Sequence, residues 1–153
     1  DLKSLDTNLN LHPPLRSAED RKALWEALAD GTVNAVSFNH FPVHREDKEV
    51  NFEAAVPGAV SLEIALPMIW NKLSERLGVS RAVELLSENP ARISGAEPAA
   101  LNPGEKVSAV LFDPAGKTRV ESGTFAGGVE NSPFLGRELP GRILGSYIAG
   151  IWR

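Results

Sequence analysis

The pattern of apolar and polar positions predicts a strand and then a helix at the start of the chain. Leu9 and Leu11 alternate with polar residues, which favours a short strand that ends at the Pro-Pro pair following it. Ser17 has the position of a helix N-cap, with acidic residues in the first turn. This helix is expected to end at residues 30–31 and to bury one apolar stripe, Leu24, Trp25 and Leu28.

The middle of the chain predicts a buried strand followed by two helices. Residues 32–38 (TVNAVSF) are apolar without strict alternation, as expected for a strand covered on both faces. After a polar loop, the spacing predicts a helix over 61–77, kinked at its internal Pro67. A second helix is predicted from Ser80 to residue 89.

From residue 106 onward the pattern changes to short β-rich segments. Residues 106–112 predict a strand, DPAG a tight turn, and residues 117–120 the returning strand of a hairpin. Residues 141–152 predict a last strand or strand pair. The order is that of an α/β protein with a β-rich tail. Two strand–helix units cannot close a barrel, so the pattern indicates that further strands precede this segment.

Composition is that of an ordinary globular protein and excludes several functions. The 153 residues suffice for one core, or for one domain with a small appendage. A net charge of -4 without a dense Lys/Arg cluster argues against nucleic-acid binding. The absence of cysteine excludes disulfides, thiolate metal sites and a cysteine nucleophile.

The sequence predicts a cytoplasmic location and a longer parent chain. No apolar run approaches the ~20 residues of a membrane span, and no charged-then-apolar leader is present, so a cytoplasmic protein without membrane contact is expected. The chain starts at Asp1 rather than at methionine, so it is expected to be cut from something longer.

Candidate chemistry concentrates in residues 34–47, where a predicted buried strand runs into a polar loop. This is a common place for a catalytic carboxylate, but Asn39 has an amide that neither titrates near neutral pH nor carries charge. His40 and His44 are spaced four apart, as in a metal-binding pair on a helix. Pro42 lies between them and opposes a helix, so ordinary loop histidines are the preferred interpretation.

Other conspicuous residues have structural interpretations. Trp25, Trp70 and Trp152 lie among apolar residues and are predicted to belong to the core. The charged run at 45–49 (REDKE) is predicted to be a solvated loop. The glycine-rich FAGGVEN lacks the strand-then-helix context of a phosphate-binding loop.

Five segments together resemble the C-terminal portion of dihydroorotases of the amidohydrolase superfamily. They are residues 6–36 (with PPLRSAEDR and LADG), 39–53 (NHFPVHREDKEVNFE), 56–67 (VPGAVSLEIALP), 85–95 (LLSENPARISG) and 132–143 (SPFLGRELPGRI). The resemblance implies the last part of a TIM-type (β/α)8 metal-dependent hydrolase barrel, followed by part of a small β-sandwich domain. Residues 1–98 would supply the last barrel units and following helices, and 99–153 the C-terminal strands of the composite β-domain. Because such a barrel takes ~250 residues, its N-terminal part is an expected partner of this chain.

The same resemblance implies a reaction and the residues that perform it. Dihydroorotases reversibly hydrolyse dihydroorotate to N-carbamoyl-aspartate in pyrimidine synthesis, by attack of a zinc-bound hydroxide. An aspartate after the eighth strand takes and returns the proton, and Asn39 occupies its position. The metal-binding histidines of the family lie upstream, so no metal ligand and no cofactor are expected in this chain.

The substrate-contacting positions match the family only in part. Val43 stands where the family has a second histidine of the loop, and His12 where it has an asparagine that contacts the pyrimidine ring. Pro57 and Gly58 match the backbone segment that binds this ring, whereas Ser61 replaces a usual glycine.

These departures favour a catalytically degenerate dihydroorotase homologue. Such homologues are associated in bacteria with aspartate carbamoyltransferase, so a structural or assembly subunit of that enzyme, itself a homo-oligomer, is the expected function. The alternative is an active zinc-dependent dihydroorotase or related cyclic amidohydrolase that uses another proton acceptor.

Overall fold

Helices occupy the middle of the chain and a small antiparallel sheet its C-terminal part. The computed structural model describes residues 4–105, 107–148 and 151–153. Its helices are α1 (Ala18–Asp30), α2 (Ala65–Leu77), α3 (Val79–Val83) and α4 (Asn89–Ile93). Its strands are β1 (Ala109–Arg119), β2 (Glu138–Ile148) and β3 (Ile151–Trp152). None of the helices among these residues is long and apolar enough to cross a membrane.

Helix α1 begins as its sequence predicts. The Ser17 hydroxyl accepts a hydrogen bond from the Asp20 backbone N–H (3.1 Å), and the Asp20 carboxylate accepts one from the Ser17 N–H (3.2 Å). This reciprocal pair satisfies two of the helix's otherwise free N–H groups. Of the predicted buried stripe, Trp25 and Leu28 pack against a buried cluster, but Leu24 is 53% exposed. The prediction for Leu24 is wrong because α1 is covered along one side only.

Both strands predicted in the first 40 residues are absent from the described chain. Residues Thr7–Leu9 form a 3-10 turn, and residues 32–38 have no ladder partner. The backbone N–H of Val36 instead donates to the carbonyl of Leu85 (3.0 Å). A strand exists only through pairing, and no neighbouring strand lies beside either segment among the described residues.

The predicted second helix is preceded by a 3-10 turn, Leu62–Ile64, and its α-helical part begins only at Ala65. Pro67 is therefore the third residue of α2, where an N–H would have no acceptor within the helix. The predicted interior kink is wrong for that reason. The last predicted helix is confirmed, as α3 and α4 joined by a π-helical turn, Glu84–Glu88.

The predicted hairpin around DPAG is wrong, because β1 continues through it. Asp113 pairs with Arg142 and Lys117 with Pro140, so residues 114–116 bulge opposite a single residue of β2. A bulge tolerates the missing N–H of proline. The partner of β1 thus comes from 19 or more residues further along the chain. The predicted C-terminal strand pair is confirmed, since Tyr147 of β2 pairs with Trp152 of β3.

Two buried clusters hold these elements together. One contains Leu73, Ala82 and Leu85, with Trp25 and Trp70 packed against it, so the core prediction for these two tryptophans is confirmed. Trp152 is 56% exposed, and its prediction is wrong. The other cluster has members on both sides of residue 98: Val60, Ile64, Val120, Phe125 and Leu139. Apolar packing in this cluster joins the C-terminal part of the chain to the segment that precedes α2.

Candidate functional site

A cavity of about 210 Å³ lies where four segments of the chain meet: 11–13, 37–39, 58–61 and 133–134. Three of the predicted site residues, His12, Asn39 and Gly58, line it, and Ser61 does so as well. Pro57 is exposed and lies outside the lining. Val43 is 5% exposed and also lies outside the lining. The structure thus brings together part of the predicted substrate-binding set.

Asn39 joins two of these segments through its side chain. The amide nitrogen donates a hydrogen bond to the backbone carbonyl of His12, and the Ser61 hydroxyl donates to the backbone carbonyl of Asn39 (3.2 Å). A carbonyl oxygen can only accept, so the nitrogen of the amide must face His12. A carboxylate in this position has no proton to donate and would oppose the carbonyl oxygen. The contact therefore requires an amide at position 39.

His40 is fixed by the start of the turn that precedes α2. Its Nδ1 accepts hydrogen bonds from the backbone N–H groups of Ser61 (3.3 Å) and Leu62 (3.1 Å). A neutral imidazole that accepts at Nδ1 carries its proton on Nε2, so this ring can only donate towards a ligand. His44 is exposed and does not line the cavity. His40 and His44 therefore lie in different surroundings.

Gly58 is buried, and a side chain at this position would clash with its surroundings. Its φ of +144° is a conformation that residues with a Cβ rarely adopt, and an added Cβ would lie 2.6 Å from Cδ1 of Phe41. The Gly58 N–H donates to the carbonyl of Asn10 (2.9 Å). The Phe41 ring is thus packed directly against the backbone that the resemblance assigns to the substrate ring.

Asn131, which sequence reasoning missed, connects the segments around the cavity. Its amide oxygen accepts from the Val43 N–H (3.1 Å), and its nitrogen donates to the carbonyls of Phe41 (2.9 Å) and Gly58 (3.2 Å). Its own carbonyl accepts from Val60 (3.0 Å), and it is 5% exposed. These contacts span up to 90 residues of sequence, and a polar residue between two turns gives no local signal of them.

The predicted solvated loop at 45–49 contains one residue that is not solvated. Lys48 is 7% exposed, and its ammonium donates to the carbonyls of Thr7 (3.0 Å) and Asn10 (3.4 Å). Burial lowers the pKa of Lys48, and the negative charge of Asp6 opposes this effect. Arg45 and Glu49 form an exposed ion pair, as the loop prediction requires. The prediction fails at Lys48 because its ammonium is held by backbone carbonyls at the 3-10 turn Thr7–Leu9 and just after it.

The resemblance places the ligands of its zinc ion upstream of this chain, and the cavity itself offers few groups that could bind a metal. Zinc takes thiolate, imidazole and carboxylate ligands, whereas the cavity offers one imidazole, that of His12, and the neutral, hydrogen-bonded amide of Asn39. Nowhere among residues 4–105, 107–148 and 151–153 do three His, Cys, Asp or Glu side chains converge as metal ligands.

The fold is similar to part of known amidohydrolases. The L-hydantoinase (dihydropyrimidinase) of Arthrobacter aurescens superposes with a TM-score of 0.83 at 28% identity, over 99% of this chain and 35% of that protein. A D-hydantoinase (dihydropyrimidinase) from Thermus sp. superposes with a TM-score of 0.77 at 24% identity, over 95% of this chain and 33% of that protein. This chain therefore has the fold of a segment of a cyclic amidohydrolase.

Sequence comparison finds a greater similarity to dihydroorotases. A dihydroorotase of Geobacter sp. (strain M21) is 38% identical over 150 residues, which is 97% of this chain and 35% of that protein. A dihydroorotase of Chlorobaculum tepidum is 38% identical over 142 residues, which is 92% of this chain and 32% of that protein. No family model matches. The chain is similar in sequence to these dihydroorotases and spans about a third of their length.

Proposed function

We propose that the protein carrying this chain is a dihydroorotase homologue that has lost ring-opening catalysis and serves as a structural subunit for aspartate carbamoyltransferase. One observation supports the loss of catalysis above all others, the hydrogen bond from the Asn39 amide to the His12 carbonyl. It uses the amide where the resembled enzymes need an ionised carboxylate as the proton acceptor.

The remaining changes point in the same direction. His40 cannot replace the lost base, because its Nδ1 already accepts two backbone hydrogen bonds. Val43 is buried and does not line the cavity, so the position of the family's second histidine contributes no ligand contact there. The framework around the cavity is nevertheless well connected, since the Asn131 amide donates to the Gly58 carbonyl. An ordered framework around an altered site is what a structural subunit needs. The partner itself is proposed from the resemblance.

The first test measures hydrolysis of dihydroorotate by the full-length protein, together with its zinc content. We expect no turnover, and Asn39→Asp alone should lower stability by about 1 kcal/mol through the lost hydrogen bond. Asn34→Asp is the matched control, since it introduces the same charge at an exposed residue outside the cavity lining. Hydrolysis at a rate typical of a metallohydrolase would contradict the proposed loss of catalysis.

The second test concerns assembly. Full-length protein mixed with the catalytic chain of aspartate carbamoyltransferase should elute from size-exclusion chromatography as one complex of larger mass than either component. Separate elution at micromolar concentrations would contradict the assembly role without bearing on catalysis.

One observation supports the alternative, an active cyclic amidohydrolase. His12 is exposed and is the one titratable side chain among the described residues that line the cavity. If its imidazole served as the base, His12→Ala would abolish hydrolysis. His44→Ala, at an exposed histidine outside the cavity, would leave the rate unchanged.

A further inference from the structure

Helices α1 and α2 enclose a second, larger cleft that shares no lining residue with the 210 Å³ cavity. Its volume is about 780 Å³. We call it the basic cleft; it is lined by Ala18, Arg21, Lys22, Trp25, Glu26 and Ala29 of α1 and by Lys72, Arg76 and Leu77 of α2.

The charge of the basic cleft is opposite to that of the chain. Four cationic side chains and one carboxylate line it, in a chain whose net charge is -4. The carboxylate, Glu26, is already paired with Lys22 at 3.7 Å. In the described parts of the chain, no carboxylate lies within 4.0 Å of the charged groups of Arg21, Lys72 or Arg76. Three of the cations that line the cleft therefore have no counter-charge among the described residues.

One of these cations is held in place by an aromatic ring. The guanidinium carbon of Arg76 lies 4.4 Å from the centroid of the Trp25 ring. Stacking of this kind occupies the face of the guanidinium and leaves its N–H edges available for a carboxylate. The Arg76 side chain is thereby partly ordered before any partner binds, which reduces the entropy lost on binding.

The shape of the cleft indicates what would fit between its charged edges. The lining combines the cations with apolar surface from Trp25, Leu77 and two alanines. From Ala18 to Ala29 the cleft extends along about 16 Å of helix, which is about three helical turns. A duplex nucleic acid is a poorer match, because proteins that bind one typically neutralise about 6–10 phosphates.

We infer that the basic cleft is the docking surface for an acidic amphipathic helix of a protein partner. Apolar side chains of that helix pack against Trp25 and Leu77, and its carboxylates pair with Arg21, Lys72 and Arg76. The inference rests on the proposed function only in that aspartate carbamoyltransferase is the first partner to test.

The direct test uses the full-length protein and a synthetic helical peptide of about 15 residues, with leucines on one face and glutamates beside them. Fluorescence anisotropy should show binding that weakens as salt is raised, because exposed ion pairs are screened. The double variant Arg21→Glu/Arg76→Glu should weaken binding about tenfold or more, since several pairs become repulsive. Lys72→Glu, which leaves the Arg76–Trp25 stack in place, should weaken it less but measurably.

The matched control is Arg137→Glu/Arg153→Glu, which changes net charge equally at two exposed arginines outside the cleft. Its binding should equal that of the unaltered protein. Equal weakening in both double variants, equal binding of a peptide with lysines in place of glutamates, or tighter binding of duplex DNA would overturn the inference. If the peptide binds as expected but the carbamoyltransferase does not co-elute, the cleft stands and the proposed partner fails. Co-elution that survives Arg21→Glu/Arg76→Glu in folded protein rejects the cleft and leaves the assembly role intact.

Discussion

Removal of the Asn131 side chain should loosen both segments that enclose the cavity. The variant Asn131→Ala leaves the Val43 N–H without its acceptor and the Phe41 and Gly58 carbonyls without their donor. Two of these three bonds are buried, and a buried polar group left without a partner costs about 1–3 kcal/mol. With a smaller loss for the part-buried third bond, we expect the free energy of unfolding to fall by about 3–5 kcal/mol.

Urea denaturation followed by circular dichroism measures this change directly. Asn51→Ala is the matched control, because Asn51 is exposed, and its effect should stay within about 0.5 kcal/mol. Hydrogen exchange at the amides of Val43 and Val60 should accelerate in Asn131→Ala and not in the control. A loss below about 1 kcal/mol with unchanged exchange would refute the assigned role of Asn131.

The variant Asn131→Asp adds a signature in pH. The carboxylate keeps an acceptor for Val43 but faces the oxygens of Phe41 and Gly58 in a buried place, so its folded-state pKa should rise above the usual value. The folded chain then holds more protons than the unfolded chain between the two pKa values. The stability of Asn131→Asp relative to the unaltered chain should accordingly be greatest below pH ~4 and fall as pH rises through the raised pKa. A loss of stability that does not depend on pH would contradict this reasoning.

Two further predictions concern the same region. Gly58→Ala should lower the free energy of unfolding by about 2–4 kcal/mol, because of the strain at φ +144° and the contact of the new Cβ with Phe41. Phe41→Ala in the same chain should recover only the part that is due to this contact, and additive losses in a double-mutant cycle would contradict the contact. Lys48→Met should cost about 2 kcal/mol at pH 7 through the lost bonds to Thr7 and Asn10. Burial lowers the pKa of Lys48 in the folded chain, so the unfolded chain holds more protons between that lowered pKa and ~10.4. The free energy of unfolding with Lys48, relative to that with methionine, should therefore grow as pH is raised through this window. An advantage that stays flat or shrinks in thermal unfolding at increasing pH would contradict the assigned burial.

Local patterns in the sequence determined the elements whose hydrogen bonds are local. The start of α1 depends on Ser17 and Asp20, three residues apart, and its end on Gly31, which adopts a left-handed φ of +87°. Such signals are complete within a few residues of sequence, so the structure agrees with them. The amide at Asn39 was likewise visible in the sequence. Its hydrogen bond to the His12 carbonyl was not, because the two residues are 27 positions apart.

Tertiary structure alone decided which strands pair and which polar side chains are buried. The DPAG sequence has the composition of a turn, yet β1 continues through it as a bulge because residues 138–148 supply a partner on both sides of it. Lys48 and Asn131 have nothing in their neighbouring sequence that predicts burial, since their partners lie about 40 and 90 residues away. Pairing and desolvation are properties of distant segments brought together. A single sequence therefore predicts the residues of this site better than the contacts that hold them.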